Sequence, residues 1–213
     1  MNTIKGKVNK IILGLTSVGL VLLMLPVSLS ANHFRYGTMS WETPSDNGTI
    51  RLQMGNGWTA DHRSFNASGD YDYWSGDYVG SMKHNMIRIY WGDGSNTLVD
   101  LKILSRDTAG DMNDTISEMG DNSSSTWTKG VYHTYSSDGD YVVYWGSTAR
   151  ASVQNSNGNA WWNETKVTIG GGYTGNDSPV SAVPSVVQVQ DNKTFNYQLV
   201  ATDANGDSLN YRW

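Results

Sequence analysis

Apolar and polar residues alternate along much of the chain with a period of two, which is typical of β-strands that bury one face. Ile50, Leu52 and Met54 would lie on one face of such a strand, while Arg51 and Gln53 would lie on the other. The segments 87–91, 99–103, 141–145 and 167–169 follow the same pattern. No stretch keeps the 3.6-residue apolar period of an amphipathic helix, so the pattern predicts an all-β protein.

The N-terminal segment has the order of charges and apolar residues found in signal peptides. Three lysines precede an apolar run from Ile11 to Leu25, Pro26 ends that run, and small residues follow it. We expect residues 1–31 to be a signal peptide that is cleaved after Ser30 or Ala31, and the protein to be secreted or on the cell surface. An uncleaved membrane anchor is the alternative, but a spanning helix needs about 20 apolar residues.

Charge and cysteine content narrow the function further. The first 31 residues hold three of the 15 basic residues and no acidic one, which leaves 12 basic against 20 acidic side chains and a net charge of −8. Such an acidic chain is a poor nucleic-acid binder. The chain has no cysteine, so an exported fold must depend on its own core or on metal ions, of which Ca²⁺ is the natural candidate outside a cell.

The distribution of turn residues predicts two domains. A β-sandwich over 32–169 would be followed by a glycine-rich linker over 170–178, which begins at Gly170–Gly172. Residues 179–213 alternate clearly again but number only about 35, below the roughly 40 that an unaided core requires, so we expect them to be the N-terminal part of a domain that continues beyond Trp213. The polar stretches Asp107–Lys129 and Asn66–Tyr78 are expected to be surface loops.

Two segments carry a resemblance to PKD domains. Tyr90–Ser95 contains the Gly-Asp-Gly turn of that family, and His133–Val143 is similar to its late core strand. The resemblance implies a seven-stranded immunoglobulin-like sandwich, and the 37 residues between Ser95 and His133 imply an inserted loop. From the residues themselves, Asp93-Gly94 would supply a positive φ at a hairpin turn, and Tyr141 after Gly139 would form a tyrosine corner. These are structural rather than catalytic roles.

The segment His33–Trp41, together with the two PKD-like segments and Ser178–Ser181, is similar to a family of uncharacterised exported bacterial proteins that continue into cadherin-like repeats. This resemblance covers most of the chain after the signal peptide and implies no reaction. Thr148 and Ala149 stand where relatives are expected to have a pair of cysteines, so no disulfide is implied here.

The last segment, Phe195–Tyr211, resembles a dystroglycan-type cadherin-like repeat. Asp203, Asn205 and Asp207 place three oxygen donors at alternate positions, a spacing that suits Ca²⁺. A hairpin turn at Asn205-Gly206 with solvated aspartates is the other explanation. A second, weaker oxygen set is formed by Asp70, Asp72 and Asp77.

Tryptophans within polar segments suggest a surface for sugars, on which exposed indoles can stack. Trp161 and Trp162 are the strongest candidates, although adjacent strand residues point to opposite faces and one of them should be in the core. Trp58, Trp74 and Trp127 are further candidates.

No hydrolase, zinc-protease, phosphate-loop or dinucleotide motif is found, and the four histidines are too far apart in sequence to suggest zinc. The leading hypothesis is a non-enzymatic extracellular or cell-surface module for binding or adhesion. We expect Ca²⁺ as its cofactor and an extracellular protein or glycan as its ligand. It would contact a membrane only through the signal segment or a C-terminal anchor outside this sequence. The alternative is the carbohydrate-binding region of a larger secreted polysaccharide-degrading enzyme.

Overall fold

The structure is a computed structural model. It describes residues 33–60, 62, 66–67, 71–72, 75–79, 87–108, 114–147, 160–183, 189–190 and 192–211. The predicted signal peptide lies outside these residues. Within them the secondary structure consists of strands without a helix, so the predicted all-β class is confirmed. Correspondingly, no helix of the described part is long and apolar enough to cross a membrane.

Fifteen strands are present in the described residues. They are β1 Phe34–Ser45, β2 Thr49–Thr59, β3 Asn66–Ala67, β4 Tyr71–Asp72, β5 Tyr78–Val79, β6 Arg88–Tyr90, β7 Asn96–Leu98, β8 Asp100–Arg106, β9 Asp114–Asp121, β10 Thr128–Lys129, β11 Val131–Thr134, β12 Gly139–Ser147, β13 Trp161–Ile169, β14 Val180–Ser181 and β15 Ala201–Thr202.

Most of these strands belong to two antiparallel sheets. The large sheet has the order β1-β2-β9-β8-β5, with β10 beside β9 and β11 beside β2. The small sheet has the order β13-β12-β6-β7. Buried side chains from both sheets form a common hydrophobic core, which is the layered arrangement of an immunoglobulin-like sandwich.

The predicted alternation is confirmed in the strands with large apolar residues. Ile50, Leu52 and Met54 of β2 are buried, as are Ile87, Ile89 and Trp91 around β6, Leu101 and Ile103 of β8, and Val143 and Trp145 of β12. These residues are β-branched, aromatic or large and apolar, and they fill the space between the sheets. The core therefore lies where the period of two placed it.

The prediction of a surface loop over Asp107–Lys129 is wrong. β9 lies in this segment and pairs with β2 on one side and β8 on the other, inside the large sheet. Its inward residues include Thr115 and Ser117, which are small and polar yet buried. Burial of such a group is tolerated when it is hydrogen bonded. This holds for Ser117, whose hydroxyl donates to Asn56 Oδ1 of β2, but not for the buried Thr115 hydroxyl. The stretch Asn66–Tyr78 is likewise not only loop, since it contains the short β3–β4 pair and the start of β5.

The turn and corner predicted from the PKD-like segments are present. Gly94 has a φ of 92° in the turn that joins β6 to β7, and Asp93 Oδ1 accepts hydrogen bonds from the amide and hydroxyl of Ser95. The Tyr141 hydroxyl donates to the carbonyl of Ser137 at 2.8 Å, four residues upstream. Both features fix the connections between strands, as expected of an immunoglobulin-like sandwich.

The second predicted domain contributes one short strand pair to the described residues. β14 and β15 pair through Val180–Thr202 and Ser181–Ala201. The side chains of Phe195, Tyr197 and Leu199 are exposed. The identity of residues 179–213 as a cadherin-like repeat stays a prediction.

Candidate binding surface

The adjacent tryptophans at the start of β13 point to opposite faces of the small sheet, as expected. Trp161 is 4% exposed and stacks on Phe34 with a distance of 3.5 Å between ring centroids. Trp162 is 59% exposed. Of the pair, only Trp162 is available to a ligand.

Trp162 is the first ring of an aromatic row on the outer face of the small sheet. Its ring lies 4.5 Å from that of Tyr144 on β12, with 18° between the ring planes. Tyr144 in turn lies 4.8 Å from Tyr90 on β6, with 12° between the planes. We refer to Tyr90, Tyr144 and Trp162 as the aromatic row. It crosses three of the four strands of the small sheet.

The strand register explains how the row forms. Tyr144 is directly opposite Tyr90, so their rings are cross-strand neighbours on the same face. Trp162 is opposite Gly146, whose missing side chain leaves room for the indole to reach Tyr144. A Cβ on Gly146 would lie 2.7 Å from Trp162 Cε3. Val142, two residues before Tyr144, adds an exposed apolar side chain to this face.

Charged side chains of both signs surround the aromatic row. Lys166 Nζ and Asp140 Oδ2 are 2.7 Å apart, and the hydrogen bond from Lys166 is the main cause that lowers the pKa of the Asp140 carboxyl. Arg88 donates to Asn96 Oδ1, and Glu164 is exposed opposite Tyr144. Aromatic residues with arginine, bordered by mixed charges, are the composition of protein-binding surfaces.

A histidine–aspartate pair joins the two PKD-like segments. His133 Nε2 and Asp93 Oδ2 are 2.8 Å apart, and the imidazole lies parallel to Trp91 at 4.5 Å. Burial acts to raise the pKa of the Asp93 carboxyl, but hydrogen bonds from Ser95 and His133 outweigh it and lower the pKa to about 2. The ring of His133 is also in edge contact with Tyr135. These contacts tie β11 to the β6–β7 turn and give the pair a structural role.

Two pairs of polar side chains near the start of β1 and the end of β2 are not evident from the sequence. Arg35 Nε lies 2.6 Å from Asp114 Oδ1. Burial raises the pKa of the Asp114 carboxyl, although Arg35 acts to lower it. Nearby in the fold, the rings of His33 and His62 meet edge to face at 4.7 Å, despite the 28 residues between them in sequence. In the described part of the chain, no three His, Cys, Asp or Glu side chains are arranged to hold a metal ion.

The predicted calcium ligands lie in one turn and already make hydrogen bonds. Asp203 Oδ1 accepts from the amides of Asn205 and Asp207, at 2.9 and 3.1 Å. Asn205 Oδ1 accepts from the amide of Asp177 at 2.7 Å. Calcium binding at Asp203, Asn205 and Asp207 stays a prediction. Of the second oxygen set, Asp70 and the side chain of Asp72 lie outside the described residues.

The other candidate tryptophans do not extend the surface. Trp58 is buried, and its ring is 5.2 Å from Phe34 in the core. Trp127 is half-buried and donates to Glu118 Oε1. Trp74 lies outside the described residues. Sequence reasoning therefore found Trp162 but not its partners Tyr90 and Tyr144, because only the strand register brings these three together.

Residues 35–170 match the family model described as "Integrin beta-like protein A-E, N-terminal". The match covers more than half of the chain, and the chain belongs to this family. It is also 25% identical over 204 residues to Integrin beta-like protein B of Dictyostelium discoideum. That alignment covers 91% of this chain but only 9% of the relative. No solved structure matches the chain. The family match does not extend to the PKD resemblance or to the dystroglycan-type resemblance, and both stay predictions.

Proposed function

We propose that the chain is a non-enzymatic extracellular or cell-surface adhesion module that binds its partner through the outer face of the small sheet. The observation that carries this proposal is the aromatic row, in which Tyr90 and Trp162 are exposed and Tyr144 between them is half-buried. Large aromatic side chains on a surface are costly to leave in water, and they supply most of the binding energy at many interfaces. A rigid sheet holds the three rings in place before a partner arrives, which reduces the entropy lost on binding.

The adhesion role is supported by the family as well as by the surface. The family is named for its likeness to integrin β chains, and the signal-like N-terminus supports export. The polar and charged residues around the row keep this face hydrated in the unbound protein. Because the chain spans 9% of the length of its relative, any activity of a longer protein is a separate proposal.

A protein partner suits the aromatic row better than a glycan does. Sugars bind tryptophan mainly through the flat face of the ring. In the row, Tyr144 lies between Tyr90 and Trp162, so both of its faces are covered. The row offers ring edges and two phenolic hydroxyls, and Trp162 is the more exposed of its two end rings. A glycan bound by Trp162 is the second candidate, and it is favoured only by the exposure of that indole.

Calcium is proposed as a stabiliser of the Asp203–Asp207 turn and not as part of the binding face. Asp207 is exposed in this turn, and a complete shell would require six to eight oxygens. A calorimetric titration of the purified chain with CaCl₂ tests this proposal, and an absence of heat at millimolar calcium would exclude it.

The adhesion proposal is tested with beads that carry the purified chain. The beads are added to cells of the organism that produces the protein, and bound beads are counted. We expect the Trp162→Ala and Tyr144→Ala variants to bind at least tenfold more weakly, because central aromatic residues of an interface contribute about 2 kcal/mol or more. Parallel samples on a glycan array would identify a sugar ligand.

The matched control is Tyr173→Ala, which removes an exposed aromatic ring outside the small sheet. It should leave bead binding unchanged. Thermal melting of each variant checks that the sandwich is intact. If folded Trp162→Ala and Tyr144→Ala beads bind as well as unmodified beads, the aromatic row is not the binding surface.

A further inference from the structure

The segment that follows the sandwich, residues 175–178, is bound to β1. The amide of Trp41 donates to Ser178 Oγ at 2.7 Å, and the amide of Ser178 donates back to the Trp41 carbonyl at 2.8 Å. Next to this pair, the amide of Thr43 donates to Asp177 Oδ1 at 2.7 Å. Thr43 Oγ1 also donates to the carbonyl of Asn176 at 2.6 Å. Since Trp41 and Ser178 are buried, this attachment is part of the sandwich.

The same segment is held from its other side by Asn205. The Asn205 side chain accepts from the amide of Asp177 at 2.7 Å and donates through Nδ2 to the carbonyl of Gly175 at 3.0 Å. Both polar atoms of one side chain are thus engaged with backbone groups two residues apart. Beyond them, β14 pairs with β15, and the amide of Ala182 donates to the carbonyl of Val200.

We propose that residues 175–178 form a rigid joint in which Asp177 and Asn205 are the positioning residues. Asp177 is bound to β1 by its side chain and to Asn205 by its amide. It therefore connects the sandwich to the 201–207 turn through one residue. The joint fixes the direction in which the chain leaves the sandwich and the orientation of the aromatic row relative to residues 201–207. Because residues 175–178 lie in the predicted glycine-rich linker, they would otherwise be expected to be flexible.

The Asp203–Asp207 turn supports the position of Asn205. Asp203 Oδ1 accepts two amides of the turn, and Gly206 has a φ of 82°. This arrangement presents the Asn205 amide group towards Gly175 and Asp177. The hydrogen bonds across the joint are direct bonds within one chain and need no metal ion. The role that we assign to the Asp203–Asp207 turn is therefore mechanical.

Spin labels measure the rigidity of the joint directly. The chain has no cysteine, so labels attach only at cysteines introduced by Glu164→Cys on the sandwich and Ser208→Cys after the turn. Both positions are exposed. Pulsed electron resonance should give a narrow distance distribution with EGTA present. Asn205→Ala should broaden it, and in the same variant the Asp177 amide should exchange with deuterium roughly fivefold to tenfold faster, the effect of losing about one hydrogen bond.

Two further variants and one condition decide the assignment. Asn205→Asp keeps an acceptor oxygen and should preserve the protection of the Asp177 amide, while Asn210→Ala, an exposed neighbour, should change neither measurement. The Val143 amide in β12 should stay protected in all variants, which separates the joint from the fold. The proposal is overturned if Asn205→Ala leaves the distribution narrow, or if the unmodified chain gives a narrow distribution only after CaCl₂ is added. Neither result bears on the bead-binding assay, which tests the aromatic row independently of the joint.

Discussion

At the scale of single residues, the position of Trp162 depends on a residue without a side chain. The indole lies over Gly146, across the β12–β13 pair, and reaches the ring of Tyr144. An added Cβ at position 146 would lie 2.7 Å from Trp162 Cε3 and 2.8 Å from the carbonyl oxygen of Trp161. The second contact is with backbone, which cannot move without disturbing the strand. Gly146 therefore sets the geometry of the aromatic row.

We expect Gly146→Ala to displace the Trp162 ring and to destabilise the sandwich by about 1–3 kcal/mol, the usual cost of forcing an atom into a filled space. Near-ultraviolet circular dichroism should lose the signal of the stacked rings, and urea unfolding should report the lower stability. Binding of the protein-coated beads to cells should also decrease, because the stacking of the aromatic row is lost. Gly55→Ala is the control, because its Cβ would meet only Thr38 Oγ1, at 3.3 Å. Equal dichroism spectra for Gly146→Ala and the unmodified chain would show that the indole does not depend on this glycine.

The sequence was sufficient to predict that Trp161 and Trp162 face opposite ways, because adjacent residues of any strand do so. It was not sufficient to predict the aromatic row. Tyr90 and Tyr144 are 54 residues apart, and their contact follows from the register of β6 against β12. That register depends on the whole small sheet and has no local signal in the sequence.

At the scale of strands, β9 shows where the alternation of apolar residues fails as a guide. β2, β8 and β12 were predicted because their inward residues are large and apolar. β9 places Thr115 and Ser117 inward instead. Ser117 is accepted in the core because Asn56 Oδ1 on β2 accepts hydrogen bonds from the Ser117 hydroxyl and from Trp58 Nε1. A buried polar contact between two strands cannot be recognised until their pairing is known.

This contact makes a prediction about the large sheet. Ser117→Ala removes one donor and should lower the free energy of unfolding by about 1 kcal/mol. Asn56→Ala should cost more, about 3 kcal/mol, because it leaves two buried donors without their acceptor and opens a cavity. Urea unfolding measures both effects.

The control for these substitutions is Thr134→Ala. The Thr134 hydroxyl is hydrogen bonded to that of Thr49 at 2.7 Å, again across two strands of the large sheet, but the pair is exposed. Its loss should change the stability by less than about 0.5 kcal/mol. If Ser117→Ala and Thr134→Ala have the same effect, burial of the Asn56–Ser117 contact adds nothing.

At the scale of the whole molecule, the two sheets are tied together where the PKD-like segments meet. His133 on β11 of the large sheet contacts Asp93 in the β6–β7 turn of the small sheet. The Tyr135 hydroxyl donates to the Trp91 carbonyl at 3.0 Å beside them, and burial raises the pKa of this tyrosine. The sequence predicted the turn at Asp93-Gly94 and the corner at Tyr141, but not that the two segments meet. The bond between the segments is visible only in the fold.

The Asp93 carboxylate, which accepts hydrogen bonds from Ser95 in its own turn and contacts His133 on β11, predicts how the stability of the sandwich responds to acid. The folded-state pKa of Asp93 is lowered to about 2, below its ordinary value of about 3.9. A carboxyl with a depressed pKa contributes its stability above the unfolded pKa and loses it as the pH falls towards the folded pKa.

Asp93→Asn should therefore be less stable than the unmodified chain by about 1 kcal/mol at pH 6, allowing for solvent screening. The difference should narrow between pH 4 and pH 2 in urea unfolding. Asp46→Asn, which alters an exposed aspartate in the β1–β2 turn, should show no such change. A difference between the Asp93→Asn and unmodified chains that is constant with pH would mean that the Asp93 carboxylate charge does not stabilise the β6–β7 turn and its contact with His133.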